Sequence, residues 1–328
     1  MARYILKRFL TMLLVMLGVV FFVFAISRMS GDPVLMILGD GPYTQEQYDA
    51  IYVEYGFDRP FLVQFLDYIW DVLHLDFGKS YITGQPVIEA VATRFPVSLT
   101  IAISALLVSV PLGILIGIVS AVKQNTVVDY GLTAFTLLTF SFPNFWLALL
   151  FMLIFALWIP LVPAGFVPGK AASYFLPILT QAIHPITHNA RLTRTRMLEV
   201  IRQDYIRTAR SKGLNEKQVI WGHALKNAIV PVFTQIGNNV ATMVGGAAVV
   251  EGIFNVPGLG TYIVTAIGNK DYPALQSGVL LFSLFVCVVN VIVDICYGFA
   301  DPRIMAKYAA HGKKKAKKSK AALGGVKA

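Results

Sequence analysis

Few residues in this chain of 328 stand where they could do chemistry. His184 and His188 are one helical turn apart and could turn two imidazoles toward one ligand, but Pro185 disturbs that turn and no third donor follows. Gly78-Lys79-Ser80 imitates the end of a phosphate-binding loop, yet Leu73 stands where such a loop needs glycine, so the chain cannot capture ATP through it. Cys287 and Cys296 fall on opposite faces of one apolar helix, which suits small fillers and neither a disulfide nor a shared metal. Glu251 and Asp294 sit at the ends of apolar windows. A carboxylate centred in a bilayer costs about 2.5–3.5 kcal/mol and is kept for ion or proton handling. End positions instead assign these two to interfacial or structural roles. No paired catalytic constellation is present, so the chain is read as a non-enzyme.

What remains patterned is a run of cations. Between Arg191 and Pro231 lie Arg191, Arg194, Arg196, Arg202, Arg207, Arg210, Lys212, Lys217 and Lys226, against Glu199, Asp204 and Glu216. Leu198, Ile201, Tyr205 and Ile206 recur there at helical spacing, Gly213 interrupts, and Glu216 to Leu225 reads as a second helix. The apolar stripe of this protrusion must be covered, and the expected cover is another protein.

The elements that position it are membrane helices. A composition 56% hydrophobic and 14% charged lies outside the globular range. The net charge of +10 does not indicate nucleic acid, because the cations cluster beside apolar spans; the Lys313 to Lys320 run suits anionic lipid. Six windows free of Lys, Arg, Asp and Glu reach spanning length: Phe9 to Ser27, Phe95 to Val122, Tyr130 to Gly169, Ala171 to Ala190, Asn227 to Val250, and Tyr272 to Val293. Pro160 and Pro163 are expected to end the third helix near Trp158. Six crossings with both termini in the cytoplasm put the basic loop and tail inside, whereas omitting the fourth would put both outside. The first segment reads as a retained anchor, since its apolar run is too long for a signal core.

Three regions follow: 1–94, a first helix plus an extracytoplasmic helical segment; 95–303, the transport domain with the loop 191–226; and 304–328, a basic, disordered cytoplasmic tail. In the first region Thr44 and Gln47 have capping-box spacing, predicting a helix over Gln45 to Tyr55 with Gly56 past its end. Pro60 opens a second helix with a stripe of Phe61, Leu62, Phe65, Leu66, Ile69, Trp70 and Leu73, which covers the bundle or docks an outside partner. Gly113 and Gly117, and then Gly237, Ala241 and Gly245, are small-xxx-small sets for close helix packing. Pro111, Pro143 and Pro231 predict kinks. The weaker alternative for the second set is a translocation path lined by Gly237, Ala241, Gly245 and Glu251.

A transport path without its own energy source, plus a patterned inner protrusion, implies an external motor. The run Asp204-Tyr-Ile-Arg-Thr-Ala-Arg-Ser-Lys-Gly-Leu214, followed by His223-Ala-Leu-Lys-Asn-Ala-Ile-Val-Pro231, resembles the coupling loop of ABC-importer permeases of the peptide/opine/nickel branch. Ala209 and Gly213 match the pattern, while Arg207 and Thr208 replace its acid and first alanine. Gly31-Asp-Pro33, Gly56-Phe-Asp-Arg-Pro60, Asp76-Phe-Gly-Lys-Ser80, Arg191-Leu-Thr-Arg194, Val256-Pro-Gly-Leu-Gly260, Asp271-Tyr-Pro273 and Asp301-Pro-Arg303 resemble the same branch, in the order of the first of two paired permeases.

The resemblance implies an all-α, type I importer-like permease with six crossings in the bacterial inner membrane. It implies as partners a second homologous permease, one or two nucleotide-binding ATPase subunits and an extracytoplasmic solute-binding protein. ATP and Mg would be bound by the ATPases and no cofactor by this chain. Tyr205, Arg207, Thr208, Ala209, Lys212, Gly213 and Leu214 would form the coupling helix, with Ala209 and Gly213 permitting close approach. Dipeptides or short oligopeptides are the expected solutes; nickel, opine and glutathione-like substrates are served by similar chains. An autonomous channel or secondary carrier is the alternative class, and it would transport without ATPases.

Overall fold

The computed structural model describes residues 2–39 and 41–300, with the side chains of 2–5, 7, 234, 238–242, 244–246 and 293–300 outside that description. Asp294, Cys296, Asp301-Pro-Arg303 and the basic tail therefore lie outside the described side chains. All named elements are helical: α1 (Ala2–Met29), α2 (Pro33–Leu38), α3 (Gln45–Glu54), α4 (Phe61–Leu73), α5 (Val87–Val122), α6 (Val127–Ser141), α7 (Asn144–Met152), α8 (Phe175–Ile201), α9 (Asp204–Ser211), α10 (Leu225–Ile253), α11 (Leu259–Gly268) and α12 (Tyr272–Ala300). Arg8–Met29, Val87–Val122 and Tyr272–Ile292 are each long and apolar enough to cross a membrane, and α6 with α7 makes a fourth such stretch if taken as one span.

The third apolar window bends at Pro143 as expected, and more sharply than a kink. It does end near Trp158, through a π-helical turn over Leu153–Trp158, but it is broken in the middle by a bend of 107°. Pro143 is the cause: it lacks an N–H, it disfavours a helical Phe142, and Phe142 is extended at ψ 137°. A broken backbone among apolar helices needs partners. His184 of α8 supplies them, with Nε2 facing the Phe142 carbonyl at 3.0 Å and Nδ1 facing the Asn144 side-chain oxygen.

The bundle is organised on α5 and α8. At Gly113 an added Cβ would lie 2.7 Å from the Asn189 Cβ; at Gly117 it would lie 2.5 Å from the Thr193 Cβ and 2.6 Å from the Ala190 carbonyl. Glycine is thus required for the two backbones to meet, as small-residue packing predicts. α10 joins through the Gln181 amide, which donates to the Met243 carbonyl.

The two ends of the bundle differ. Residues 30–39 and 41–86 form a helical cap at one end, where α3 begins with the expected capping box (Gln47 N–H to Thr44 Oγ1, 3.3 Å; Thr44 N–H to Gln47 Oε1, 2.9 Å) and Gly56 follows at φ +65°. Only part of the α4 stripe packs inward: Phe65 and Ile69 reach the bundle, while Leu62, Leu66, Trp70 and Leu73 stay exposed. At the other end α8 runs on through Arg191 and Arg194 to Ile201, so the basic segment is largely helical and the true turn is short.

Candidate functional site

At the basic end, Gln203 starts α9 and Asp204 stands in its first turn, where a carboxylate complements the helix dipole. The helix stops because Gly213 adopts φ +82°, and its N–H donates to the Arg210 carbonyl at 2.9 Å. Asn215 and Gln218 then cap the next helix reciprocally (Gln218 N–H to Asn215 Oδ1, 2.9 Å; Asn215 N–H to Gln218 Oε1, 3.2 Å). That helix begins at Glu216, passes through a π-helical stretch at Gln218–Ala224, and continues as α10.

The apolar stripe is covered by the chain itself, not by a partner. Ile206 and Ala209 are buried against Ile118 and Ala121 of α5, Met197 of α8, Val219, Ile220 and Ala224 of the π-helical stretch, and Ala228 of α10. The helical period dictates this: 206 and 209 share one face, and the nearby ends of four helices supply apolar surface. Ala209, at 6% exposure, is therefore an inward contact and does not face outward for docking. Leu214 is half-buried at the edge of the same cluster. Tyr205, Arg207, Thr208, Lys212 and Gly213 are exposed, and nothing crowds Gly213. Asn227 Nδ2 donates to Tyr205 Oη at 2.8 Å, and Arg210 pairs with Glu216 at 2.7 Å. The result is a short helix fixed on one side and open on the other.

Beside this platform lies an ion pair that sequence reading missed. Asp129, in the first turn of α6, accepts from Arg194 Nε and a terminal guanidinium nitrogen, both at 2.8 Å, and also from the Ser120 hydroxyl and the Asn125 N–H. A lone acid between two apolar windows, opposite the Arg191–Arg194 motif, was the available signal. The pair binds the start of α6 to α8 and to the end of α5.

The path residues fare differently. Gly237 is buried in α10, while the side chains of Ala241 and Gly245 lie outside those described. Glu251 is fully buried. Its Oε1 accepts from Ser98 Oγ at 2.5 Å and its Oε2 from the Thr261 N–H at 2.9 Å, so it caps the N-terminus of α11. A Cβ at Gly258 would lie 2.2 Å from the Glu251 Cδ, and one at Gly260 would lie 2.5 Å from the Ala248 Cα. Gly258 is thus required by this lock, and Gly260 by the close approach of α11 to α10 at Ala248.

At the cap, four dispersed motifs converge. Asp271 accepts from Ser80 Oγ at 2.5 Å and from the Tyr81 N–H at 3.1 Å, and Ser277 Oγ donates to the Phe77 carbonyl at 3.0 Å. Asp32 caps α2 through the Val34 N–H (2.9 Å) and accepts from Tyr48 Oη (2.6 Å), which helps push the Tyr48 phenol up to about 12. Tyr272 Oη donates to the Gly31 carbonyl at 3.4 Å. Beside these contacts lies a cleft of about 710 Å³ whose lining includes Arg28, Glu54, Asp71, Asp76, Lys79 and Gln276. Burial, with Asp76 and Asp67 nearby, holds the Asp71 carboxyl above the usual range. Among the described residues no group of three or more metal-ligating side chains occurs.

Comparison with known proteins now adds what geometry alone does not. Residues 113–306 match the family described as binding-protein-dependent transport system inner membrane component, and residues 1–102 match its N-terminal membrane component. A Brucella suis biovar 1 (strain 1330) protein, provisionally named a peptide transport system permease protein, is 40% identical over 314 residues, covering 93% of this chain and 99% of its own. The dipeptide transport system permease protein DppB of Escherichia coli (strain K12) is 34% identical, covering 94% of this chain and all of its own length. In fold, the chain is similar to a crystal structure of an amino acid ABC transporter with histidines (TM-score 0.52, 13% identity, 64% of this chain and 94% of that one). It is also similar to the inward-facing MetNI methionine ABC transporter (TM-score 0.50, 15% identity, 66% and 94%). With both family segments matched and near full-length relatives above 30% identity, the chain belongs to the binding-protein-dependent transport system inner membrane components.

Proposed function

We propose that this chain is one of two permease subunits of an ATP-driven importer of dipeptides or short oligopeptides, coupled to its ATPases through the outer face of α9. As a family member it is a multi-pass inner membrane protein and a non-catalytic component, with ATP hydrolysis in separate subunits. The peptide class is suggested by the names of its relatives. Six crossings with both termini inside give the orientation, because that arrangement sets α9 in the cytoplasm.

The observation that carries the coupling role is the two-sidedness of α9. Ile206 and Ala209 join it to the ends of α5, α8 and α10, while Arg207, Thr208 and Lys212 face solvent. A push on the open face cannot be absorbed locally. It moves the tightly packed helices as a body and so changes access to a path between this chain and a homologous partner. The expected partner is a different but homologous permease, giving a heterodimer, with a solute-binding protein outside. ATP and Mg belong to the ATPases.

The test is reconstitution of the chain with its permease partner, ATPases and binding protein in liposomes, followed by uptake of a radiolabelled dipeptide. Uptake should require ATP inside and fall at least tenfold with Arg207→Glu plus Lys212→Glu, without loss of folded protein. Uptake by this chain in the absence of any ATPase would overturn the reading.

A further inference from the structure

The cap meets α1 within a stretch long and apolar enough to cross a membrane, and one side of the cap stays bare. Phe61 and Phe65 of α4 set their rings edge-on to Phe21 at 5.9 and 5.2 Å, and Tyr68 stacks on Phe24 at 5.7 Å. Phe21 and Phe24 both belong to the apolar stretch Arg8–Met29. At 1.5 Å per residue, Phe21 lies about 10 Å along the helix from Arg28. α4 is therefore seated at the level of the span and not above it.

The sides of α4 keep different company. Phe65 and Ile69 turn inward, while Gln64, Asp67 and Asp71 line the cleft. Leu62, Leu66 and Trp70 are each 64% exposed and Leu73 is 71% exposed, a row at helical spacing whose one polar group is the Trp70 indole N–H. Phe21 and Phe61, in contact and each 37% exposed, join that row to the bare side of α1. Leu75 adds a second observation. It lies just past the helix at φ +64°, a conformation usually left to glycine or asparagine, and it is 76% exposed. A leucine so placed gains little from packing within the chain, so its strain points to an apolar environment outside it.

Whatever covers the row must be apolar and permanent. A protein interface carries roughly one hydrogen bond per 100–200 Å², which this row cannot supply. A soluble partner would also leave a broad apolar patch in water each time it departed. Lipid meets neither objection. Trp70 agrees with it, because tryptophan concentrates where acyl chains meet headgroups, and its ring lies 4.6 Å from that of the polar His74. We propose that α4 is an interfacial helix that anchors the cap to the membrane surface. Leu62, Leu66, Trp70, Leu73 and Leu75 lie in the acyl boundary of the cap-side leaflet, and Asp67 and Asp71 face water. This rests on the chain's place in the membrane and goes beyond the importer reading.

The experiment uses the full chain in nanodiscs of phosphatidylethanolamine and phosphatidylglycerol, in a Cys287→Ser/Cys296→Ser background, with a nitroxide on one introduced cysteine. Collisions with oxygen, which concentrates among acyl chains, are compared with collisions with a water-soluble nickel chelate. Leu62→Cys, Leu66→Cys and Leu73→Cys should favour oxygen over nickel by about threefold relative to Asp67→Cys and Asp71→Cys. Adding Leu66→Glu should lift the helix and lower the Leu73→Cys ratio by about threefold. Nickel access along the whole row would overturn the proposal, as would an unchanged ratio with Leu66→Glu. Loss of collisions with both reagents on adding the homologous permease would also overturn it, assigning the face to that partner. Nickel access that disappears on adding a solute-binding protein would do the same in favour of an outside partner. No ATPase takes part, so ATP-dependent uptake by the reconstituted complex, measured in parallel, separates failure of the anchor from failure of the importer reading.

Discussion

Glu251 shows how far a residue's meaning depends on its neighbours. In the sequence it is a carboxylate at the end of an apolar window; in the fold it is a fully buried cap on α11, held by Ser98 and Thr261. Gly258→Ala places a methyl in the space of that carboxylate and is expected to lower stability by about 1–3 kcal/mol, readable as a drop in melting temperature in detergent. Glu251→Ala should cost a similar amount, and combining the two should cost less than their sum, because the clash disappears with the carboxylate. Additive losses would show that the lock is absent. Gly213 poses a different question, since nothing crowds it but its φ is +82°. Alanine there should cost about 1–2 kcal/mol of local strain and keep most uptake, whereas tryptophan should abolish uptake through bulk at the docking face. Equal loss in both variants would mean that backbone strain, not docking, governs the position.

Two helix junctions carry the mechanics. α5 and α8 meet backbone to backbone at Gly113 and Gly117, so Gly117→Val should separate them and reduce the yield of folded protein sharply. Gly131→Val, where nothing lies within 4 Å of the added atom, serves as the control and should be tolerated. The Asp129–Arg194 pair fixes α6 to α8 beside the platform. Removing Asp129 as alanine strands the guanidinium. The expected loss is at the lower end of the about 3–5 kcal/mol typical of broken buried pairs, because Arg194 keeps 29% of its side chain exposed. Thermal unfolding of Asp129→Ala beside Asp129→Ala/Arg194→Leu checks this, since the double variant should recover part of the loss. α9 itself was legible in the sequence as a glycine-stopped helix. Its apolar face was assigned to the wrong cover, because periodicity reveals a face but not what lies against it.

At the scale of the molecule, the proposed topology sets the two ends on opposite sides of a membrane. In a Cys287→Ser/Cys296→Ser background, Lys212→Cys should react with an impermeant thiol reagent only in inside-out vesicles, and Gln45→Cys only from the outside of intact cells. Labelling of Lys212→Cys from outside would invert the topology and remove the coupling role. Motifs dispersed along the chain meet at the cap: Gly56 and Arg59, Asp76 to Ser80 and Pro273 line its cleft, while Asp271 holds Ser80 and Tyr272 reaches the Gly31 carbonyl.

The sequence by itself determined the helices and much of their organisation. The cap at Thr44 and Gln47, the stop at Gly213 and the end of the third window near Trp158 are set by contacts within a few residues and are found in the structure, and four of the six apolar windows reappear as stretches of spanning length, the third of them bent. The packing glycines of α5 were also readable, because close approach in lipid selects residue size. Only the tertiary structure decided where Ala209 points, that Glu251 is a lock, that Asp129 answers Arg194, and that the kink expected at Pro143 is a 107° break braced by His184. Each depends on a partner at least ten residues away. The free energy of such contacts resides in pairs that a one-dimensional pattern does not bring together.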